Sequence, residues 1–450
     1  MSDRSDGVAR MIEHVAAWGF KIRENDDSRI HDLLKATSPV WGPGVDLVGS
    51  RLVRALVDQC IRVGLHLKPE MRLPIDPRKG QIVAYFNSLD PKKKRTLVRK
   101  LMYDCAMKSL RRYRDSVKDR NGSDFSYLSA IALSIGGRCN LDCPSCVMKR
   151  FQSPACADIE KLDYIFEQAE NLGGAYISVM GAGEPLLDLA YGKELLRCMG
   201  RHPGIDFLLY TNGTTATEDL ISHAGDLNNL LVFVSVDGLK ETHERRRGKG
   251  AFEAVIGLFR LLTKYGVPRA FSAVVDFDNY RDLTSREFVE KMAQVGALFG
   301  SYNQSCTILH SGRKDFTQES GERNEYLSRL QHLSKTSPVY LVDLLTLEEK
   351  RYGCRAKKGT SCFIDAVSGK VAPCVLFPFA SDDSNIYDNR SNSRLREILK
   401  GEFFGRYRGD RGKRCLCIRD LRGELQGFIE NPVLGRKDRA EVTNLLEVIE

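Results

Sequence analysis

The chain has 450 residues, 42% hydrophobic and 28% charged, with 68 Lys and Arg against 59 Asp and Glu for a formal charge of +9. That length allows two or three domains with filled cores, and no stretch approaches the roughly 18 consecutive apolar residues that a membrane-spanning helix needs. The polar opening from Met1 to Arg10 is unlike a signal peptide, and thirteen cysteines, an odd number in close clusters, point to metal ligation in a reducing, cytoplasmic compartment over a disulfide framework.

Residues 1–125 read as a helical N-terminal domain. Leu52, Val53, Leu56, Val57, Cys60 and Ile61 repeat at helical spacing, as do Val8, Met11, Ile12 and Val15. Pro69, Pro74 and Pro77 interrupt the region. Between Lys92 and Arg120 stand twelve Lys or Arg against three Asp, and twelve minus three is nine, the net charge of the whole chain. With Leu97, Leu101 and Met102 as its apolar stripe, this segment reads first as a solvated helix face. An acidic peptide or a phosphate is the next reading. A nucleic-acid partner is not expected, because no recognised nucleic-acid fold surrounds it. The run Asp119–Asp124 is a plausible linker.

From residue 127 short apolar runs alternate with helical stretches. Strands are expected at 128–135, 175–180, 206–210, 230–236, 270–276 and about 303–309. That alternation is the pattern of βα units on a parallel sheet. The expected fold class is α/β, with a partial (βα)6 TIM-like barrel over residues 126–340 whose chemistry sits at the C-terminal strand ends. After about residue 340 the pattern breaks. Phe363-Ile-Asp and Lys370-Val-Ala-Pro-Cys374 flank Ser368-Gly369 as a hairpin would, and a small domain is expected over 341–450.

Cys139, Cys143 and Cys146 form a CxxxCxxC run directly after the first strand. Three thiolates can hold three irons of a four-iron cluster and leave the fourth iron open, whereas such clusters usually take four cysteines. A structural zinc site is the plain alternative, with Cys156 the nearest further cysteine. After the second strand comes Met180-Gly-Ala-Gly-Glu-Pro-Leu-Leu187. Its Gly181 and Gly183 allow close backbone approach to a ligand, and Glu184 can accept from an ammonium group. Tyr210-Thr-Asn-Gly213 follows the third strand. Val234-Ser-Val-Asp-Gly238 ends the fourth, where Ser235 and Asp237 can bind ribose hydroxyls. The run from His243 to Phe252 comes next.

In this order the motifs resemble those of the radical S-adenosylmethionine (SAM) enzymes. The resemblance implies a SAM-binding [4Fe-4S] cluster on Cys139, Cys143 and Cys146. It implies SAM contacts at Gly181, Gly183, Glu184, Pro185, Asn212, Ser235 and Asp237, with Arg247 near the SAM carboxylate. Ala182 replaces the first glycine of the usual pair, and Ser145 stands where an aromatic residue or His is frequent. Cys354, fourteen residues, Gly369, four residues and Cys374 resemble the opening of the SPASM/twitch extension. With Cys415 and Cys417 they suggest one auxiliary [4Fe-4S] cluster in a twitch-like domain. Cys362 rivals the CxC pair for the fourth ligand, and a zinc knuckle or stapled hairpin is the alternative.

The activity implied is reductive SAM cleavage to a 5′-deoxyadenosyl radical, with electrons from a flavodoxin- or ferredoxin-type donor and hydrogen abstraction from substrate. Oxidation or cross-linking of a side chain in a ribosomally made peptide or protein is the first expectation. Dehydrogenation, epimerisation or rearrangement of a small metabolite such as a sugar or aminocyclitol is the second. A non-catalytic Fe–S or zinc scaffold is the alternative of another class. Tyr210, Tyr302 and Cys306 can line the substrate mouth, but no catalytic residue is assigned. Cys60, Cys105, Cys156, Cys198 and Cys306 read as small core residues, and the eight histidines show no ligand spacing.

Overall fold

Alternating strands and helices build one continuous sheet of nine strands. The computed structural model describes residues 128–409, except 129, 145, 173–175, 306–315, 318–319, 348–353 and 392–393, together with residues 81, 84, 85, 88, 434, 435, 438–440, 442 and 443. Apart from residues 81, 84, 85 and 88, which are helical, the expected N-terminal helical domain lies outside the described residues, as do its basic segment and Cys60, Cys105, Cys306, Cys415 and Cys417.

Six βα units run in order: β1 (Ala130–Ser134), α1 (Ile159–Asn171), β2 (Tyr176–Met180), α2 (Leu189–Arg201), β3 (Asp206–Thr211), α3 (Glu218–Gly225), β4 (Leu230–Ser235), α4 (Lys240–Arg247), α5 (Ala251–Lys264), β5 (Arg269–Val275), α6 (Tyr280–Leu283), α7 (Arg286–Gln294), β6 (Phe299–Gln304) and α8 (Gly321–Thr336). Then follow β7 (Tyr340–Asp343), α9 (Leu344–Leu347), β8 (Ser361–Asp365), β9 (Val371–Ala372), α10 (Arg394–Lys400) and α11 (Glu402–Gly409). The strand order is β7-β6-β5-β4-β3-β2-β1-β8-β9, every pairing parallel except the β8–β9 hairpin. The sheet is open, as the partial-barrel reading expects.

Helices cover the sheet through apolar stripes at helical spacing. Leu162, Ile165, Phe166 and Ala169 of α1 are fully buried, and Phe166 meets Phe207 edge-on at 4.8 Å between ring centroids. Side-chain caps stop the connecting loops from running on: Asp188 accepts from Tyr191 N, Thr217 from Leu220 N and Ser285 from Phe288 N.

The first five strands fall within two residues of their expected bounds. The sixth does not, since β6 begins at Phe299 instead of 303. Its sequence Phe-Gly-Ser-Tyr-Asn-Gln has no apolar run, because Ser301 and Asn303 share one face with Ser272, to which the Asn303 amide donates at 3.1 Å. The hairpin is where expected, but β8 also pairs with β1, Ser134 lying opposite Asp365. The hairpin thus continues the barrel sheet.

Candidate active site

All strands from β1 to β8 point the same way, so the loops after β1, β2, β3 and β4 meet at one end of the sheet. The cysteine loop leaves β1 through Gly136 and Gly137, both left-handed with φ of +71° and +87°. Residues 153–157 return alongside: Gly137 N donates to Ala155 O at 3.2 Å and Ala157 N to Ile135 O at 2.8 Å. On the other flank, Gly183 N donates to Gly136 O at 3.2 Å and Glu184 N to Arg138 O at 2.9 Å. A Cβ on Gly183 would lie 2.0 Å from Arg138 O. Gly183 is therefore demanded by the backbone of the cysteine loop itself, whereas the sequence suggested approach to a ligand. Gly181 opens the same turn, Pro185 follows it, and Ala182 is buried in a position that tolerates a methyl group.

Glu184 is 4% exposed, and its carboxylate joins two loops. Oε1 accepts from Thr211 Oγ1 at 2.6 Å and Leu186 N at 3.1 Å, while Oε2 accepts from Asn212 N at 2.7 Å. Burial pushes the carboxyl pKa up against the pull of these donors. Asn212 in turn donates through Nδ2 to Asn140 Oδ1 at 3.0 Å and to Cys139 Sγ at 3.7 Å, and Leu141 N reaches the same sulfur at 3.4 Å. Burial raises the Cys139 thiol pKa and these two donors oppose it.

Asp237, after β4, is 2% exposed. Its Oδ1 accepts from Val274 N at 2.9 Å and its Oδ2 from Arg247 Nε at 2.8 Å, with Arg246 Nε 3.5 Å away. Burial works against its ionisation, but Arg247 and Arg246 hold its carboxyl below the usual carboxylate range. Both carboxylate oxygens are thus engaged by protein partners. Arg247 ends α4 close to the cysteine loop: burial raises the Cys143 thiol pKa, and the guanidinium opposes the rise. Arg247 is also held ionised by Asp237, Cys143 and Cys146 in spite of its burial. Three thiols on one loop, two N–H donors on Cys139 and a fixed cation beside the other two make a set suited to thiolate ligation of an iron cluster.

Residues 133–290 match the family model of the Radical SAM superfamily. The chain therefore carries a radical SAM domain over this stretch. The family implies a [4Fe-4S] cluster and SAM. The chain is 25% identical over 282 residues to the AdoMet-dependent heme synthase of Methanosarcina barkeri (strain Fusaro / DSM 804), a match over 55% of this chain and 77% of that protein. It is 26% identical over 172 residues to the cysteine-type anaerobic sulfatase-maturating enzyme of Clostridium novyi (strain NT), over 35% of this chain and 46% of that enzyme. It spans less than half the length of that second relative. The fold is similar to that of Streptococcus suis SuiB bound to precursor peptide SuiA, with a TM-score of 0.53 at 15% identity, over 84% of this chain and 80% of SuiB.

Within this radical SAM domain Ser235 is half-buried at the end of β4, in register with Ser272. Cys354 precedes β8, and Cys374 follows β9, which runs antiparallel to β8. Both therefore sit toward the sheet end opposite the Cys139 loop. Cys362 is fully buried within β8 beside Ile131, and burial drives its thiol pKa far up.

Three expectations about other residues change. Tyr302 packs behind the sheet against Phe271 and donates to Leu283 O at 3.1 Å, so it does not line the mouth. Cys156 is only partly buried and lines a cavity of about 920 Å³ together with Gly137, Arg138, Glu184, Pro185 and Tyr191, so it is no core residue. His202 lies near possible ligand atoms after all, since Asp163, Cys198 and His202 converge within 4.8 Å. There Asp163 Oδ1 contacts His202 Nε2 and Arg201, each at 2.9 Å, which makes the group an ion-pair knot. Cys198 is buried, as expected. Tyr210 stacks on Phe233 at 4.8 Å. Thr211, Arg246 and Asp276 escaped sequence reasoning; the first two lie inside the runs Tyr210–Gly213 and His243–Phe252, whereas nothing local in the sequence marks Asp276.

Among the described residues, no helix is long and apolar enough to cross a membrane.

Proposed function

We propose that this radical SAM enzyme abstracts hydrogen from a side chain of a ribosomally made peptide or protein, oxidising or cross-linking it. In this reading Cys139, Cys143 and Cys146 hold the SAM-binding cluster. Gly181, Gly183, Glu184, Pro185, Asn212, Ser235 and Arg247 wall the SAM site. Cys354 and Cys374, with Cys415 and Cys417, hold an auxiliary [4Fe-4S] cluster. A helical domain over 1–125, the barrel over 126–340 and a twitch-like domain over 341–450 complete the organisation, and a flavodoxin- or ferredoxin-type protein supplies electrons.

The observation that carries the reading is the division of the cysteines between the two ends of one sheet. β1 is five residues long, so at about 3.3 Å per residue the ends are separated by roughly 16 Å. That spacing suits one site where radical chemistry begins and another that accepts an electron from the product radical. When bound, the open cluster and SAM supply the 5′-deoxyadenosyl radical. The chain's own residues order the site. The Glu184 carboxylate ties the loops after β2 and β3 together, Asn212 and Leu141 donate to the Cys139 sulfur, and Arg247 offers a fixed cation to a carboxylate. The likeness to an enzyme that matures sulfatases, and to a fold crystallised with a precursor peptide, supports a polypeptide substrate.

A second reading has its own support. The heme synthase match extends over 55% of this chain, against 35% for the sulfatase-maturating enzyme, which favours a small metabolite.

The test uses anaerobically reconstituted protein beside Cys139→Ala and Cys374→Ala. About eight irons should be present, falling to about four in either variant, with 5′-deoxyadenosine release lost only in Cys139→Ala. Release stimulated by pooled synthetic peptides bearing Cys, Ser and Lys, and not by an iron porphyrin, supports the polypeptide substrate. The reverse pattern supports the metabolite, and zinc without SAM cleavage sinks the reading.

A further inference from the structure

Behind the fourth strand lies a buried ion network that ligation and substrate binding leave unexplained. Asp237 is tied through every polar group it has. Its N–H donates to His243 Nδ1 at 3.1 Å, its carbonyl accepts from Asn279 Nδ2 at 3.1 Å, and its two carboxylate oxygens hold Val274 N and Arg247 Nε. Arg246 reaches both Asp237 and Asp276, its side chain 8% exposed and that of Asp276 11% exposed. Two carboxylates thus face two guanidinium groups away from water. Such buried pairs rarely stabilise a fold more than apolar packing of the same volume, so stability is a poor reason to gather four charges here. What the network does accomplish is immobilisation of Arg247. A guanidinium carries five N–H donors in a rigid plane. Among the described residues Arg247 spends only its Nε–H, on Asp237, while its charge acts on Cys143 and Cys146.

We infer that Asp237, backed by Arg246 and Asp276, is a positioning residue that holds the Arg247 guanidinium by Nε and leaves its terminal N–H groups for the SAM carboxylate beside Cys143 and Cys146. This rests on the radical SAM reading of the cysteine loop. It gives Asp237 a task different from the ribose contact its motif suggested, and it makes α4 a lever. The residues that turn Arg247 toward the cofactor lie one strand away, at Asp276 after β5. Replacing Arg247 by Lys would not substitute for it, because an ammonium group cannot be gripped at one nitrogen while presenting two others in a plane.

The experiment is a double-mutant cycle on anaerobically reconstituted full-length protein, read by equilibrium binding of SAM and by iron content. Asp237→Asn keeps the shape and the acceptor for Val274 N. It should weaken SAM binding at least tenfold, about 1.4 kcal/mol, with iron content unchanged. Arg247→Gln should cost at least as much, and Asp237→Asn/Arg247→Gln should be no weaker than Arg247→Gln alone, since an anchor without its anchored group has nothing to do. Asp276→Asn should give a smaller loss that also vanishes in the Arg247→Gln background. It decides the matter if Asp237→Asn fails to fold. Wild-type affinity in Asp237→Asn, or losses that multiply in the double variant, would overturn the inference while leaving the radical SAM reading intact. Wild-type protein that assembles no cluster and binds no SAM would instead sink that reading, and the inference with it.

Discussion

Glu184 and Arg138 are joined backbone to backbone, the N–H of one donating to the carbonyl of the other at 2.9 Å. The residue just before the first cluster cysteine is therefore bonded to the loop after β2, and Gly183 makes the approach possible. With a Cβ there 2.0 Å from Arg138 O, and backbone on both sides, nothing flexible can yield. Gly183→Ala should cost about 1–3 kcal/mol by overpacking and push the cysteine loop off its position. Reconstituted variant protein should retain native circular dichroism but lose most of the iron that Cys139→Ala loses. Full iron loading in Gly183→Ala would show that the loop does not depend on this contact.

The side chain and backbone of Asn212 perform separable tasks. The backbone N–H holds Glu184, and the side-chain amide donates to Cys139 Sγ at 3.7 Å. Asn212→Ala keeps the first and removes the second. Iron content should stay at the wild-type value. The reduction potential of the first cluster should move negative, because a hydrogen bond to a cluster sulfur favours the more negatively charged reduced state. Stability should drop by about 1 kcal/mol. An EPR-monitored redox titration checks the shift, and an unchanged potential would deny the amide any influence on the sulfur.

The barrel was legible where its strands are apolar runs, and the mouth was legible where motifs stand directly after those runs. Legibility ended where a residue's partner is distant in sequence. Asp237 looks like a free carboxylate in a Ser-Val-Asp-Gly turn, and only the fold brings it to Val274 N and Arg247 Nε. Cys156 looks like a core residue until the return segment 153–157 folds beside Gly137 and exposes it to a cavity. Tyr302 appears poised for the mouth because a one-dimensional reading cannot choose between the two faces of a strand whose bounds were placed four residues late. The pairing of β8 with β1 was illegible for the same reason, since nothing local in Phe363-Ile-Asp names a partner more than two hundred residues earlier.

Strand β6 supplies a packing prediction. A Cβ on Gly300 would fall 2.1 Å from Phe271 Cζ, a ring already wedged edge-on between Phe288 and Tyr302. Gly300→Ala should destabilise the barrel by about 1–3 kcal/mol. Phe271→Leu alone should cost a similar amount through the cavity it leaves. The combined variant should be more stable than the sum of the two losses, because the new methyl group occupies space the ring has vacated. Urea midpoints of the four proteins test this. Strict additivity would mean that Gly300 is needed for backbone reasons alone.

His243 carries the last prediction. It is fully buried on the inner side of α4, accepts the Asp237 N–H at Nδ1, and packs edge-on against Phe252 at 5.9 Å. Burial, reinforced by Arg247, lowers its pKa to about 4. The folded state thus holds His243 neutral where an unfolded chain, near 6.5, would protonate it. The sign follows from linkage. A base whose folded pKa is depressed contributes stability above the unfolded value, and that contribution is lost as pH falls from 6.5 toward 4. At about 1.4 kcal/mol per unit the loss reaches roughly 3 kcal/mol over that window. His243→Gln keeps an acceptor for the Asp237 N–H and cannot titrate. Wild-type protein should therefore lose more of its urea midpoint than the variant between pH 7 and pH 4.5, with the gap opening only below about 6.5. The loosened segment carries Arg247, so SAM affinity of the wild type should fall over the same interval and that of His243→Gln should fall less. Parallel pH profiles for the two proteins would place the acid sensitivity elsewhere in the chain.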